Sequence, residues 1–547
     1  MHSLDLRFSG KLEPKFCKIL TQIAKRKLRV FNKLMGYAYQ KISNDKFEYF
    51  VCSPASSRNP FASKSFFYFC CFFLLKKIQK EKYNISKIYT DSHEFKLIIK
   101  DILNKNSKIE IIDSFKKKSF SQFTSFIYFL IRILIIKSSL FFVKKKKYKN
   151  IFTVLFTNVI KNHTIKDRYF VDIKRNIIKE NIFTVPNILI FNYLDLFKSC
   201  LHLRKNNKFI LKEDYINILD VLNFYRSYNS IRKINLGEIK FLQFNFSKIL
   251  YEDLVNPLGN FSIFESMLNI KFISNICKKI TEIKTTLIWF ENQNIDRSIS
   301  FAINKYYPNI SNFGYKGVIP PNLYLSQHHT IPEDRLFNII PKKIFVMGKG
   351  FLNEIKKYDK KLNIEVGPAL RFAYLWKLKK NLKDKNIIVA LPILYEESFF
   401  IIDLIKDVVN TNNLLKYKFI FIPHPTHEIS IIKKYIKKSF SKNMIIKNYK
   451  FTKVLENCFA VISGMSSTCL ESIAAGKKTV IIEFIKRFSF SCVPGQINKS
   501  LYLSTSNVNK IINYLLNTSK TKININMVKN LYFCKPTVNN KKLMLNL

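Results

Sequence analysis

Two stretches decide how this chain is read: residues 418–428, KFIFIPHPTHE, and residues 460–476, AVISGMSSTCLESIAAG. Each opens with a short apolar run that reads as a buried strand and stops at a proline or a glycine. His424 and Pro425 follow the first strand. Ser466, Ser467 and Thr468 follow the second and lead into a helix over 469–475, with Gly476 placed as the residue just past a helix end. In open α/β sheets, ligands bind in the crevice outside the carboxyl ends of the strands. Hydroxyls and free N–H groups at a helix start make a seat for phosphate, assisted by the helix dipole. The same Ser/Thr pattern also serves as an ordinary helix cap. A His-Pro turn one strand–helix–strand unit upstream favours a ligand site. Glu471, one turn into the helix, is placed to accept from ribose hydroxyls.

Working outward, strands at 387–391, 418–422, 444–446, 460–462 and 479–483 alternate with helices at 399–410, 429–438, 452–458 and 469–475. This alternation predicts a doubly wound parallel sheet. Upstream, strand-like runs fall at 47–52, 85–90, 109–112, 151–156, 188–191, 285–290, 343–347 and 364–366, with a helix over 62–80. The stretch 196–274 is helix-rich, and the lysine-rich run 375–385 reads as a linker. The expected division is therefore an α/β domain over 1–380, with helical insertions at 120–147 and 196–274, and a second α/β domain over 381–547.

With 547 residues, 47% of them hydrophobic and 24% charged, the chain has ordinary globular usage and length for more than one domain. Its net charge is +54, from 92 Lys+Arg against 38 Asp+Glu. Two explanations stay open: an anionic partner, or the Lys, Ile, Asn, Phe and Tyr excess that AT-rich coding produces. No nucleic-acid-binding module with interleaved aromatics is evident. The ten cysteines show no CxxC spacing, which favours free thiols in a reducing cytoplasm. The run 66–75, FFYFCCFFLL, is too short to span a bilayer and reads as a buried helix. The run 120–143 holds Arg132 and Lys137 and leads into Lys144–Lys147. It reads as an amphipathic or partly buried helix with a basic edge, suited to lying on an anionic inner-leaflet surface rather than crossing it, or equally as a core helix followed by a solvated lysine run.

A second constellation lies at 289–293, WFENQ, where Glu291 comes off a strand end beside Asn292 and Gln293. FGYKGVIPP reads as a glycine-and-proline turn around Gly314; LSQHHTIPE brings His328 and His329, FVMGKGF brings Gly348 and VGPALRF brings Arg371. These would line the cleft that the His-Pro and Ser-Ser-Thr turns face. Glu291 is the first candidate for a general base, and Glu396 or Glu397 the second. Neither GxGxxG nor GxxxxGK[ST] occurs, nor GxSxG, nor any DxD pair. His424 and His427 lack the accompanying carboxylates of a metal site, so neither metal nor cofactor is expected.

The His-Pro turn followed by a Ser-Ser-Thr turn resembles GT-B glycosyltransferases that use CMP-activated acidic sugars, such as bacterial sialyltransferases and Kdo transferases. WFENQ, GYKG, SQHH, VMGKG and GPALRF, with the early SPASSRNP and IYTDS, look like bacterial surface carbohydrate biosynthesis proteins of O-antigen clusters. The resemblance implies two Rossmann-like domains whose parallel sheets face a central cleft. It also implies a transferase of capsule or lipopolysaccharide synthesis, with a nucleotide sugar as donor and a glycan or lipid-linked acceptor. His424 and residues 466–468 would hold the donor phosphate. Relatives carry an aromatic-acid pair after ENQ, where this chain has Asn294, Ile295 and Asp296. Two other classes remain open: a CDP-glycerol-type polyol phosphotransferase of the same fold, and a basic nucleic-acid-binding protein.

Overall fold

The computed structural model describes residues 2–547 except 9, 59–62, 104–108, 115–119, 144–152, 160–168, 172, 175–176, 178–181, 189, 191, 207, 255–259, 281, 324, 326–329, 379–384, 412–413, 438–442, 485–487, 489–490 and 518–524. A small parallel sheet joins β1 (His2–Asp5), β2 (Ile85–Thr90) and β3 (Glu110–Asp113). A larger one contains β4 (Thr153–Val159) and β5 (Ile182–Ile188); a two-residue-per-strand hairpin, β6 (Lys240–Phe241) and β7 (Phe244–Asn245), intervenes in the chain. The larger sheet resumes with β8 (Thr285–Trp289), β9 (Ser311–Lys316), β10 (Lys343–Val346) and β11 (Ile364–Val366). Its six strands are parallel and run β11-β10-β9-β8-β4-β5.

The third sheet holds β12 (Asn386–Ala390), β13 (Lys418–Ile422), β14 (Met444–Ile446), β15 (Ala460–Ser463), β16 (Lys478–Ile481) and β17 (Tyr502–Ser504), again all parallel. Its order, β14-β13-β12-β15-β16-β17, is the doubly wound one, with the winding reversing between β12 and β15. The corresponding reversal in the larger first sheet falls between β4 and β8. The expected pair of Rossmann-like α/β units in a GT-B-like chain is therefore present. The strands were legible because a parallel sheet covered on both faces needs continuous apolar runs. Ile387, Ile388, Val389, Phe419, Phe421, Val461 and Ile462 are all buried.

Several elements differ from the expectation. Residues 47–52 form part of a helix, Asn44–Cys52, not a strand. Phe47, Phe50 and Val51 supply the buried i, i+3, i+4 face that a short aromatic run conceals. The strand expected at 188–191 lies earlier, at β5, an edge strand that tolerates Pro186. FGYKG is not a turn: Gly314 sits inside β9, where a Cβ would come 2.6 Å from Pro341 Cγ. The tail of the expected 381–547 domain bridges the two units. Helix Ile525–Tyr532 packs both on helix Ser467–Ala474 of the second unit and on residues 349–351 of the first, and helix Val538–Leu545 packs on the first; Cys534 N–H donates to Met347 O (2.7 Å) and Trp376 Nε1 donates to Phe533 O (3.1 Å). Met544 and Leu545 are buried among Leu287, Phe313 and Phe345.

The run 66–75 is a buried helix, as expected, within Ser65–Lys80. Helix Phe120–Ser138 buries Phe126, Phe129, Ile133 and Ile136 and leaves Phe123, Ile131 and Leu134 exposed. Arg132 is buried and donates to Ile188 O. Gln122–Phe142 is the one stretch, among the described residues, long and apolar enough to cross a membrane; a third of it is buried inside the protein. Lys144–Lys147 lie outside the described residues.

The N-terminal helices are locked to the first large sheet by a fully buried polar bracket. Asp334 accepts from Arg58 (2.7 Å) and Arg297 (2.9 Å), all three with no exposed side-chain surface. Tyr39 Oη donates to Asp334 at 3.0 Å, and Arg297 also donates to Ser56 O at 2.5 Å. Removing one partner strands the others without water. Asp334→Asn or Arg297→Met is therefore expected to destabilise the fold by about 3–5 kcal/mol, read as a lowered midpoint in denaturant unfolding.

Candidate active site at the domain seam

The carboxyl end of β15 turns at Gly464 into helix Ser467–Ala474. Ser466 is the N-cap, its Oγ accepting from Thr468 N–H at 3.4 Å. Thr468 Oγ1 donates to Ser463 Oγ (2.9 Å), and Ser467 Oγ donates to Glu471 Oε1 (3.2 Å). Glu471 is buried, and its other oxygen accepts from Tyr374 Oη, which comes from the first unit. Burial raises the Glu471 pKa, against the lowering pull of Tyr374, Arg371 and Ser467. Both Glu471 oxygens are thus engaged within the chain, so the role foreseen for it toward ribose would require displacing Tyr374 or Ser467. Its observed work is to tie the Ser-Ser-Thr helix to the VGPALRF segment, where Arg371 faces the same carboxylate.

His424 follows β13, and residues 466–468 follow β15; the two strands flank β12. They are two strand spacings apart, about 10 Å, on the carboxyl edge where the winding reverses. His424 is half-buried, its Nδ1 2.7 Å from Thr426 Oγ1, and Pro425 is exposed. His427 is buried instead: it stacks on Tyr395 (4.2 Å between centroids) and its Nε2 lies 3.0 Å from Ile393 O. It splices the β13 turn to the turn after β12. Among the described residues, no three His, Cys, Asp or Glu side chains gather as a metal set would.

The two glutamates after β12 part company. Glu396 is exposed, while Glu397 is buried and aimed into the Gly464 turn, accepting from Met465 N–H at 3.2 Å. Gly464 is required there, since a Cβ would lie 2.2 Å from Glu397 Oε1. Burial pushes the Glu397 carboxyl up to about 7, offset in part by the Met465 hydrogen bond. A carboxyl in this range changes protonation near neutral pH, beside the turn that leads into helix Ser467–Ala474.

Glu291 leaves the carboxyl end of β8, at the reversal point of the first large sheet. Trp289 Nε1 donates to its Oε1 (2.8 Å) and Gln293 Nε2 to its Oε2 (3.0 Å), which fixes the carboxylate's direction. Asp296, one residue later than the acid position of the resembled family, is drawn into this turn. Its Oδ2 accepts from Glu291 N–H (2.7 Å) and Gln293 N–H (3.4 Å). Burial and the neighbouring Glu291 charge raise the Asp296 carboxyl to about 7. Lys316, at the end of β9, is buried near both acids and is lowered to about 7, chiefly by desolvation. Lys316 was missed in the sequence because lysine is the commonest polar residue here and nothing local marks a buried one.

Other expected cleft residues are structural. Asn292 is fully buried in a left-handed conformation (φ 58°), and its Oδ1 accepts from Arg297 Nε at 2.8 Å. Gly314 packs inside the sheet, and Gly348 lies against the Tyr532 backbone, where a Cβ would come within 2.4 Å. His328 and His329 lie outside the described residues.

No protein-family model matches this chain, and no curated protein does. Among solved structures, it is similar to UDP-GlcNAc 2-epimerase from Neisseria meningitidis bound to UDP-GlcNAc, at 12% identity over 72% of this chain and 98% of that chain, with a TM-score of 0.39. It is also similar to UDP-GlcNAc 2-epimerase from Methanocaldococcus jannaschii in complex with UDP-GlcNAc and UDP (10% identity, 72% and 99% covered, TM-score 0.40). A third likeness is to α,α-trehalose 6-phosphate synthase from Burkholderia multivorans (8% identity, 73% and 94% covered, TM-score 0.37). None of these likenesses assigns chemistry to a residue of this chain.

Because the folded Glu397 pKa lies above the ordinary 4.5, stability that depends on its neutral form is whole below that value and is lost as pH rises through about 7. Thermal unfolding between pH 5 and 8 should show the wild-type midpoint falling more steeply than that of Glu397→Gln. Parallel curves would place Glu397 in water rather than against the turn.

Proposed function

We propose that the chain is an inverting, metal-independent GT-B glycosyltransferase of bacterial surface polysaccharide synthesis, in capsule or lipopolysaccharide O-antigen. In this reading the donor is a CMP-activated acidic sugar, a nonulosonate or Kdo, and the acceptor a glycan or a lipid-linked glycan. The observation that carries it is the convergence of three turns at strand carboxyl ends. The His424 turn and the Ser466–Thr468 turn flank the reversal point of the second large sheet, and Arg371 and Tyr374 of the first unit meet the latter turn.

The chemistry follows from that arrangement. Glu291 takes the proton of the acceptor hydroxyl, the freed oxygen attacks the anomeric carbon, and the bond from that carbon to the donor phosphate breaks. Negative charge grows on the leaving phosphate. His424 and the N–H and hydroxyl groups at the start of helix Ser467–Ala474 offset it there. Glu397, neutral below about pH 7, leaves the seat open to an anion; once ionised it repels one.

The same reading places the protein in the cytoplasm, peripheral on the inner membrane. The outward side of helix Phe120–Ser138 carries Phe123, Ile131 and Leu134, and beyond it Phe141 is 89% exposed. Leu194 adds to this ridge from the next helix, Tyr193–Lys205, since Phe142 and Phe197 are in ring contact. Apolar side chains on a chain of net charge +54 suit an anionic lipid surface.

Four measurements test this. In a thermal-shift panel of CMP, CDP, UDP and GDP, CMP should raise the midpoint most; a preference for CDP would favour a polyol phosphotransferase instead. His424→Ala should lower kcat by about 10²–10³ with a smaller change in KM. Glu291→Gln should abolish transfer and leave CMP binding intact; near-normal turnover would remove Glu291 as the base. Sedimentation with anionic vesicles should weaken with salt and with Phe141→Ser/Phe142→Ser; resistance to carbonate extraction would mean insertion instead.

A further inference from the structure

Away from the two turns, the seam holds a cavity of about 280 Å³, near the lower end of ordinary ligand pockets at about 300 Å³. Its walls come from both units. Pro320, Asn322 and Leu323 follow β9, Phe351 to Tyr358 follow β10, and Pro494 to Gln496 follow β16. Asn322 N–H donates to Ser491 O at 2.7 Å, which pins one wall to the other. The second wall also leads to the candidate donor seat, because Cys492 Sγ lies 3.5 Å from Met465 O in the Gly464 turn.

The lining is chemically divided. Phe351 and the half-buried Tyr358 offer aromatic surface, and Phe351 is held in place by an edge contact with Tyr532 (5.2 Å). Asn322 and Gln496 offer amides that both donate and accept, and Glu354 offers a carboxylate that accepts. Lys357, 4.0 Å from Glu354, and Lys25 from helix Pro14–Lys41 bring two cations against that one carboxylate. Aromatic surface suits the C–H face of a sugar ring, amides and a carboxylate suit its hydroxyls, and the excess of cations suits an acidic substituent.

We propose that this cavity binds a sugar residue bearing an acidic group. As the seat of the acceptor it rests on the transferase reading above; as a saccharide site it does not. The test uses the full chain and isothermal titration at low salt, with hyaluronan tetrasaccharide as the acidic probe and chitotetraose as the neutral one. The acidic probe should bind the more tightly. Gly495→Trp should block the cavity without strain, since a Cβ at Gly495 meets nothing within 4 Å. Lys357→Glu should weaken the acidic probe about tenfold, the scale of one charge-assisted contact, and leave the neutral probe nearly unchanged. Equal binding to wild type and Gly495→Trp, or no saturable binding to wild type, overturns the proposal. A nucleotide thermal shift on the same samples separates the two readings. Gly495-dependent saccharide binding with no nucleotide shift keeps the cavity and removes the transferase; a CMP shift with Gly495-independent binding does the reverse.

Discussion

The carboxylate of Asp334 is the point on which the geometry of the first unit depends. It answers two guanidinium groups at once, and neither has water to fall back on. Arg58 sits at the end of the Pro54–Ser57 turn in a left-handed conformation (φ 54°), an unfavourable place for a side chain. Its bond to Asp334, and another to Asn32 Oδ1 at 3.0 Å, hold it there. Arg297 carries the constraint to the site. Its Nε holds Asn292 in the left-handed turn, and that turn presents Glu291 on one side and Gln293 on the other. The direction of the candidate base thus descends from an ion pair buried behind the sheet.

How much of this was legible depended on whether the signal was local. The second large sheet was readable almost strand by strand, because buried parallel strands must be apolar throughout and their turns must carry glycine, proline or hydroxyl residues. The His424 and Ser466–Thr468 turns could be placed for the same reason. The Asp334 bracket could not. Arg58 and Asp334 are 276 residues apart, and nothing near either one announces the other. Gly314 and Gly348 misled in the opposite way. Glycine at a strand end is a turn signal, but these two are there because Pro341 and the Tyr532 backbone come too close for a Cβ. The docking of the C-terminal helices across the two units was equally hidden. Their apolar faces show that they pack, not on what.

The charge imbalance shapes the interior as well as the surface. With 92 basic residues and 38 acidic ones, a buried carboxylate is a scarce resource, and several are shared. Asp334 serves two arginines. Asp253 accepts from Ser63, Ser65 and the Lys64 N–H, joining the start of helix Ser65–Lys80 to helix Phe246–Leu254. Glu265 meets Lys212 in the helix-rich insertion, where Asn269 completes the lysine's shell. Many surface lysines lie over aromatic faces instead, as Lys27 does over Phe73 at 4.4 Å. The aromatic excess gives these cations a partner that acids cannot supply in number.

The carboxylates around the candidate turns are governed mainly by burial. Glu397 and Asp296 are both raised to about 7, against the pull of the Met465 N–H on the first and of Lys316 and the Glu291 and Gln293 N–H groups on the second. Glu471 is raised as well, against the opposing pull of Tyr374, Arg371 and Ser467. With its carboxyl raised to about 7, Glu397 is protonated below neutral pH. A lysine paired to it would hold it ionised, and the Gly464 turn would then carry a fixed negative charge. The two sheets therefore treat their acids differently. Glu291 accepts from the Trp289 and Gln293 side chains, while Glu397 is governed by burial, offset in part by the Met465 N–H.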